Sequence, residues 1–264
     1  MYNRDGDDGL LSKRKTPQNE AFACSKRLSI IENVLAVLSC VYSLIPEFHV
    51  TNSKVNFWSN VLFIIVTYLV IFFKDNNFSI GTKQRIEFFL DNSFNRTRTV
   101  INSKSYYDNN EVKTGIKRVL ANIHENTLYT WEITKVMCRF YIFGTMILVL
   151  ILLIVFHENK DNVTLILLNF MFSGNFISKT VSVFQLSKGC KELFDEANMI
   201  CSRYKEIGEN FSKVESDVIG LLSKYESLIA DTKVNLWEWT FNMKNKKLTE
   251  QWQNHKAFFE VYKE

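Results

Sequence analysis

The chain has 264 residues, 47% of them hydrophobic, and carries a formal net charge of +4. Its mean hydropathy of −0.07 averages two unlike kinds of segment: four nearly uncharged apolar runs and intervening stretches rich in Lys, Glu, Asn and Ser. Two prolines and nine glycines are few, which suits long helices and argues against an all-β fold. Acids are interspersed among the basic residues, so the charge is no nucleic-acid footprint and no DNA partner is expected.

The first twenty residues are polar and are expected to be disordered. Residues 1–27 read as a polar arm carrying six Lys and Arg. The first apolar run, Ile30 to Pro46, contains Glu32 near its start, with Ala36, Ser39 and Ser43 following at helical spacing. The second, Val55 to Phe73, has no charged residue and as a helix reaches ~28 Å, about one hydrocarbon thickness. The two form a hairpin over residues 28–73.

Residues 74–138 read as a helical loop region. Eleven Lys and Arg lie between Lys74 and Arg139, against one in each tight hairpin connection. This asymmetry places the arm, the loop region and the tail on the cytoplasmic side. Val112, Ile116, Val119 and Ile123 share one face of a helix that runs straight into the third apolar run, Phe140 to Phe156, which is also uncharged. The fourth run, Asn162 to Phe184, closes a second hairpin over residues 139–185. It is striped with polar residues: Asn175, Ser178, Lys179 and Ser182 on one face, with Asn169 and Ser173 beside them. A lysine in lipid costs ~2.5–3.5 kcal/mol near the bilayer centre. Such a residue therefore faces protein, a water-filled path or the interface. These six are the candidate pore-lining residues. The alternative is that Lys179 snorkels to the interface and the Asn and Ser side chains bond between helices.

The tail, residues 186–264, opens with an unbroken alternation of four- and three-residue spacings from Leu186 through Tyr204 to Leu228, a heptad seam. A long coiled-coil helix is expected there. It pairs with another subunit, with the helix ahead of the third run, or packs within one chain. Trp237, Trp239 and Trp252 mark the last segment as interfacial or docking.

The five cysteines include no CxxC and are expected to be reduced thiols. The four histidines are scattered, so no metal and no cofactor is expected. No phosphate loop, nucleophile elbow or metalloprotease motif occurs, and an enzymatic role is not expected. The fold class is therefore all-α and integral to a membrane, with four transmembrane helices in two hairpins and cytoplasmic helical extensions.

Three stretches carry a resemblance to a known family: AFACSKRLSIIENVL before the first run, HENTLYTWEITKVMCRFY at the start of the third, and the helix after the fourth run ending near IADTKVNLWEW. Together they resemble the bacterial four-transmembrane, SMODS-associated pore-forming effectors of anti-phage defence. Where the family has a proline-containing segment before a Trp, this chain has TFNMKNKKLTEQW. The resemblance implies an inner-membrane effector that oligomerises or opens a pore when a cyclic oligonucleotide is made during infection. Arg85, Arg96, Arg98, Lys117 and Arg118 are the candidates for contacting such an anionic ligand. The competing reading for them is topology and lipid headgroups. The competing function is a non-channel membrane scaffold that presents a coiled coil to a cytoplasmic partner.

Overall fold

The computed structural model describes residues 17–44, 53–96, 109–157, 176–208 and 210–263. Among the described residues there is no strand; the chain is built from α1 (Pro17–Leu44), α2 (Ser53–Phe94), α3 (Ile116–His157), α4 (Phe176–Glu206), α5 (Glu215–Thr232) and α6 (Glu238–Phe258), with 3-10 turns at Phe211–Lys213 and Glu260–Tyr262. Proline at the head of α1 suits the first helical turn, where its missing N–H has no partner to lose. The helix therefore starts well ahead of the first apolar run. Residues 17–27, expected as part of a polar arm, are helical, and Phe22 packs edge-on against Phe78 with ring centroids 5.4 Å apart.

α1 and α2 lie antiparallel, joined near the other end by Tyr42 against Phe63 at 5.8 Å. α3 and α4 form a second antiparallel pair. Tyr141 meets Phe176 at 5.8 Å, the Thr145 and Thr180 hydroxyls are 3.1 Å apart, and Trp131 meets Phe194 at 6.0 Å. Among the described residues, two helices are long and apolar enough to cross a membrane, α2 over Val61–Phe94 and α3 over Ile116–Ile151. Only 6% and 22% of their most apolar windows are buried within the protein, so neither behaves as the core helix of a water-soluble domain. Trp58, Tyr68 and Phe72 on α2, and Phe143 and Ile154 on α3, are each about two-thirds exposed. α1 and α4 do not meet the same length and apolarity within the described residues. The greater part of the fourth run, with Asn169, Ser173 and Asn175, lies outside them.

Both α2 and α3 are 42 residues long. Each continues without a break from an apolar half into a lobe with a buried core. The N-terminal half of α3 supplies Val119, Leu120 and Ile123, α4 supplies Leu186, Ala197 and Tyr204, and α6 supplies Trp252. Val112, expected inside α3, instead sits fully buried in the turn before it.

The heptad seam is filled, but by the chain itself. Leu186, Cys190, Leu193, Ala197, Ile200 and Tyr204 are all buried on α4, as are Val218, Leu221 and Tyr225 on α5. The expected continuous helix ends at Glu206. Gly208 takes φ 73°, a left-handed conformation that glycine adopts at no steric cost, and α5 folds back along α4. The two helices approach so closely that a Cβ on Gly189 would lie 2.6 Å from Leu228 Cδ2. Lys224 to Glu196 at 2.7 Å and Arg203 to Asp217 at 2.8 Å lace the exposed edge of this hairpin. α6 begins with Glu238 and ends with His255 and Lys256, a charge order that complements the helix dipole.

Candidate functional site

Where the apolar half of the molecule meets the lobe, three helices bring charges together. Glu32 of α1 is fully buried. Its Oε2 lies 3.1 Å from Lys74 Nζ of α2 and 3.4 Å from Lys179 Nζ of α4. Lys179 also donates to Asn33 Oδ1 at 2.8 Å. Lys74 reaches Asp75 at 3.7 Å, and Asp75 in turn accepts from Lys233 at 2.8 Å, on the connection between α5 and α6. The chain of contacts thus runs from α4 through α1 and α2 to the lobe.

The sequence explains the level at which this cluster sits. Lys74 is the first charge after the uncharged run of α2, as Arg139 is the last before that of α3. Lys179 lies between Phe176 and Thr180, which contact Tyr141 and Thr145 just beyond Arg139. All these residues occupy one boundary layer between charged and apolar surface. A carboxylate buried in such a layer is tolerable only with cationic partners, because an unpaired buried charge costs several kcal/mol.

Lys179, read from the sequence as a pore-lining candidate, is therefore half-buried in an ion pair. Ser178 beside it is exposed and Ser182 is partly buried. Lys74, Asp75 and Lys233 were not singled out by sequence reasoning. The available signal was the pair of opposite charges, Glu32 and Lys179, standing alone in two otherwise apolar runs; each needed a partner and the other was at hand.

Of the candidate anion-binding residues, the four that are described each contact other groups of the chain. Arg85 is ion-paired with Glu226 and lies over the Tyr225 ring at 5.3 Å. Burial outweighs the Arg85 charge and holds the Glu226 carboxyl above its ordinary range. Arg118 is buried and acts as a clamp. Its Nε and Nη2 donate to Val112 O at 2.9 and 2.7 Å, and its remaining N–H groups reach Asn110 O at 3.0 Å and Asn92 O at 3.3 Å. Lys117 sits over Tyr204 and Phe211 at 5.3 and 5.6 Å. Arg96 is exposed beside the Phe94 ring. Arg98 lies outside the described residues.

Deeper in the lobe, His124 is buried with its Nδ1 2.9 Å from Tyr262 Oη, and Tyr262 Oη also accepts from Cys201 Sγ at 3.2 Å. Phe194, Trp252 and His255 surround the imidazole. Burial, reinforced by the neighbouring His255, lowers the His124 pKa to about 3. Burial likewise pushes the Cys190 and Cys201 thiols up to about 12, which leaves them protonated and chemically quiet. A polar chain ties this core to the turn before α3. Asn109 donates to Asn122 Oδ1 at 2.9 Å and accepts from Trp252 Nε1 at 3.1 Å, while Asn122 donates to Asn92 Oδ1 at 3.1 Å. No group of three or more His, Cys, Asp or Glu that could hold a metal occurs among the described residues.

Among the described residues, the fold and this charged junction define an all-α protein with two helices long and apolar enough to cross a membrane and a self-packed helical lobe. No protein family, curated protein or solved structure matches the chain.

Proposed function

We propose that the chain is a multi-pass inner-membrane effector whose helices, held closed by the Glu32–Lys74–Lys179 cluster, open or disrupt the bilayer when the lobe is activated. The observation that carries this reading is the fully buried Glu32 carboxylate bracketed by lysines from two other helices. The cluster ties three of the four proposed spans together at the layer where lipid headgroups would begin. Releasing it frees α1 and α4 relative to α2, and the link from Asp75 to Lys233 gives the lobe a direct handle on that release. In this reading α1 and the fourth run complete a four-span bundle, and both termini and the lobe are cytoplasmic. Subunits meet through their exposed apolar faces. Asn169, Ser173, Asn175, Ser178 and Ser182 with Lys179 line the path that opens.

The trigger comes from the family resemblance alone: a cyclic oligonucleotide made during phage infection. The scaffold alternative is less well supported, because the seam it would present to a partner is covered by the chain's own α5. The test is a dye- and ion-leakage assay on proteoliposomes of the full chain, with and without cyclic di- and trinucleotides. Ligand-dependent leakage that Lys179→Leu alters is the expected result. Absence of leakage with every cyclic nucleotide, together with unchanged toxicity of Lys179→Leu and Asn175→Leu in cells, refutes the pore reading.

A further inference from the structure

The start of α6 lies beside the layer at which the apolar half of α3 begins. Arg139 is followed by Phe140, the first residue of the uncharged run. The Phe140 ring packs 5.7 Å from Trp237 and 6.0 Å from Trp239, and Tyr141 packs 5.7 Å from Trp237. The two tryptophan rings are themselves stacked at 5.5 Å. Indole rings favour the water–lipid boundary because one edge is polar and the body apolar.

α6 continues this pattern along one face. Trp239, Met243, Lys246 and Lys247 fall within a narrow sector of the helix, and all are exposed, Met243 by 63%. Thr240, Leu248, Trp252 and Lys256 are buried on the lobe side. Arg139, Lys246 and Lys247 make no ion pair among the described residues. The acid nearest the stripe's amino-terminal end, Glu238, is paired with Lys26 at 3.1 Å; Glu250 follows one turn beyond the lysines. The face is therefore aromatic and apolar at the end nearest the α3 run, and basic beyond it. That order suits a lipid surface better than a protein partner: the apolar part is continuous with the bare apolar faces of α2 and α3, and the charge is complementary to phosphate.

We propose that this stripe is an interfacial binding surface for anionic phospholipid. Trp239 and Met243 enter the boundary between headgroups and acyl chains of the cytoplasmic leaflet. Lys246, Lys247 and Arg139 reach the lipid phosphates, so that the first turns of α6 are held at the membrane surface. The inference rests on the reading of α2 and α3 as membrane spans.

The test uses the full chain in phosphatidylcholine vesicles containing lipid brominated either near the headgroup or at the chain ends. Tryptophan quenching is compared among wild type, Trp239→Phe and Trp58→Phe. Trp239→Phe should lose roughly half of the headgroup-level quenching and little of the deep quenching. Brominated phosphatidylglycerol should quench Trp239 about twofold more than brominated phosphatidylcholine, and Lys246→Glu with Lys247→Glu should abolish that preference. Headgroup-level quenching unchanged by Trp239→Phe overturns the proposal. Equal quenching by the two lipids overturns its anionic part. Trp58, near the far end of the uncharged run of α2, reports insertion at the opposite interface: if Trp58→Phe alters quenching while Trp239→Phe does not, the surface fails and the spans stand. If neither matters, the spanning reading fails as well.

Discussion

Replacing Glu32 by Gln removes the carboxylate that lies 3.1 Å from Lys74 Nζ and 3.4 Å from Lys179 Nζ while keeping its volume. Both lysines then face each other across a neutral amide in a poorly solvated layer; their side chains are 16% and 20% exposed. Breaking a buried pair by removing one partner costs ~3–5 kcal/mol. Asp75 still reaches Lys74 at 3.7 Å, and the residual exposure lets water help. The low end, about 3 kcal/mol, is therefore the expectation, and it lowers the melting temperature by roughly 10 °C. Lys179→Gln removes a lysine but leaves the Glu32–Lys74 pair, and should cost only about 1 kcal/mol. The decisive variant is the double, Glu32→Gln with Lys179→Gln. It should be no less stable than Glu32→Gln alone, because the second change removes a cation stranded by the first. Circular-dichroism melts of the purified chain in detergent micelles measure all three, and proteoliposome leakage without ligand should rise for Glu32→Gln alone. Losses that simply add, or a Glu32→Gln variant within about 0.5 kcal/mol of wild type, would refute the idea that the cluster holds the helices closed.

The other predictions concern the lobe. His124 titrates near 6.5 when unfolded and at about 3 when folded, so the unfolded chain binds the extra proton between those values and stability falls as pH drops below 6.5. Going from pH 7 to pH 5 should cost about 2 kcal/mol through this residue, and His124→Gln should flatten the slope of denaturation midpoints over that window. Tyr262→Phe removes the hydroxyl that partners both His124 and Cys201 and should destabilise by ~1–3 kcal/mol in chemical denaturation. Gly189→Leu should wedge α5 from α4, since even a Cβ there would meet Leu228. Overpacking of this kind costs ~1–3 kcal/mol, and Leu228→Ala in the same chain should restore most of the loss on a thermal melt. Arg118→Met should destabilise by ~2–3 kcal/mol in the same assay by orphaning the carbonyls it caps. A stable Arg118→Met protein with altered nucleotide binding would instead mark it as a ligand residue.

Much of the architecture was legible because it rests on local pattern. The uncharged runs announced the apolar halves of α2 and α3, and the helical face through Ile116, Val119 and Ile123 announced that α3 runs on unbroken. The seam from Leu186 to Leu228 named the buried residues of α4 and α5 almost one for one. Its folding back at Gly208 was hidden, because a heptad pattern reports which face is covered and says nothing of what covers it. The surroundings of the basic residues were hidden for a related reason. The partners of Arg85, Lys117 and Arg118, namely Glu226, Tyr204 and the Val112 carbonyl, include groups distant in sequence and a backbone oxygen that no composition argument can anticipate. The Glu32–Lys179 pair lay between these cases: the need for a partner was visible, whereas the meeting of α1 and α4 depended on how the hairpins pack.

Lys74 stands at the midpoint of α2, and Phe140 a little past that of α3. Each helix is a rod of ~63 Å with no break where it passes through the charged layer. A rod gripped at its centre behaves as a seesaw. Prying its lobe end outward by about 3 Å swings the opposite tip inward by a similar distance, a tilt of roughly 5°. In the function proposed above, the cluster around Glu32 is then also a fulcrum for α2, which carries motion from one end to the other without a hinge.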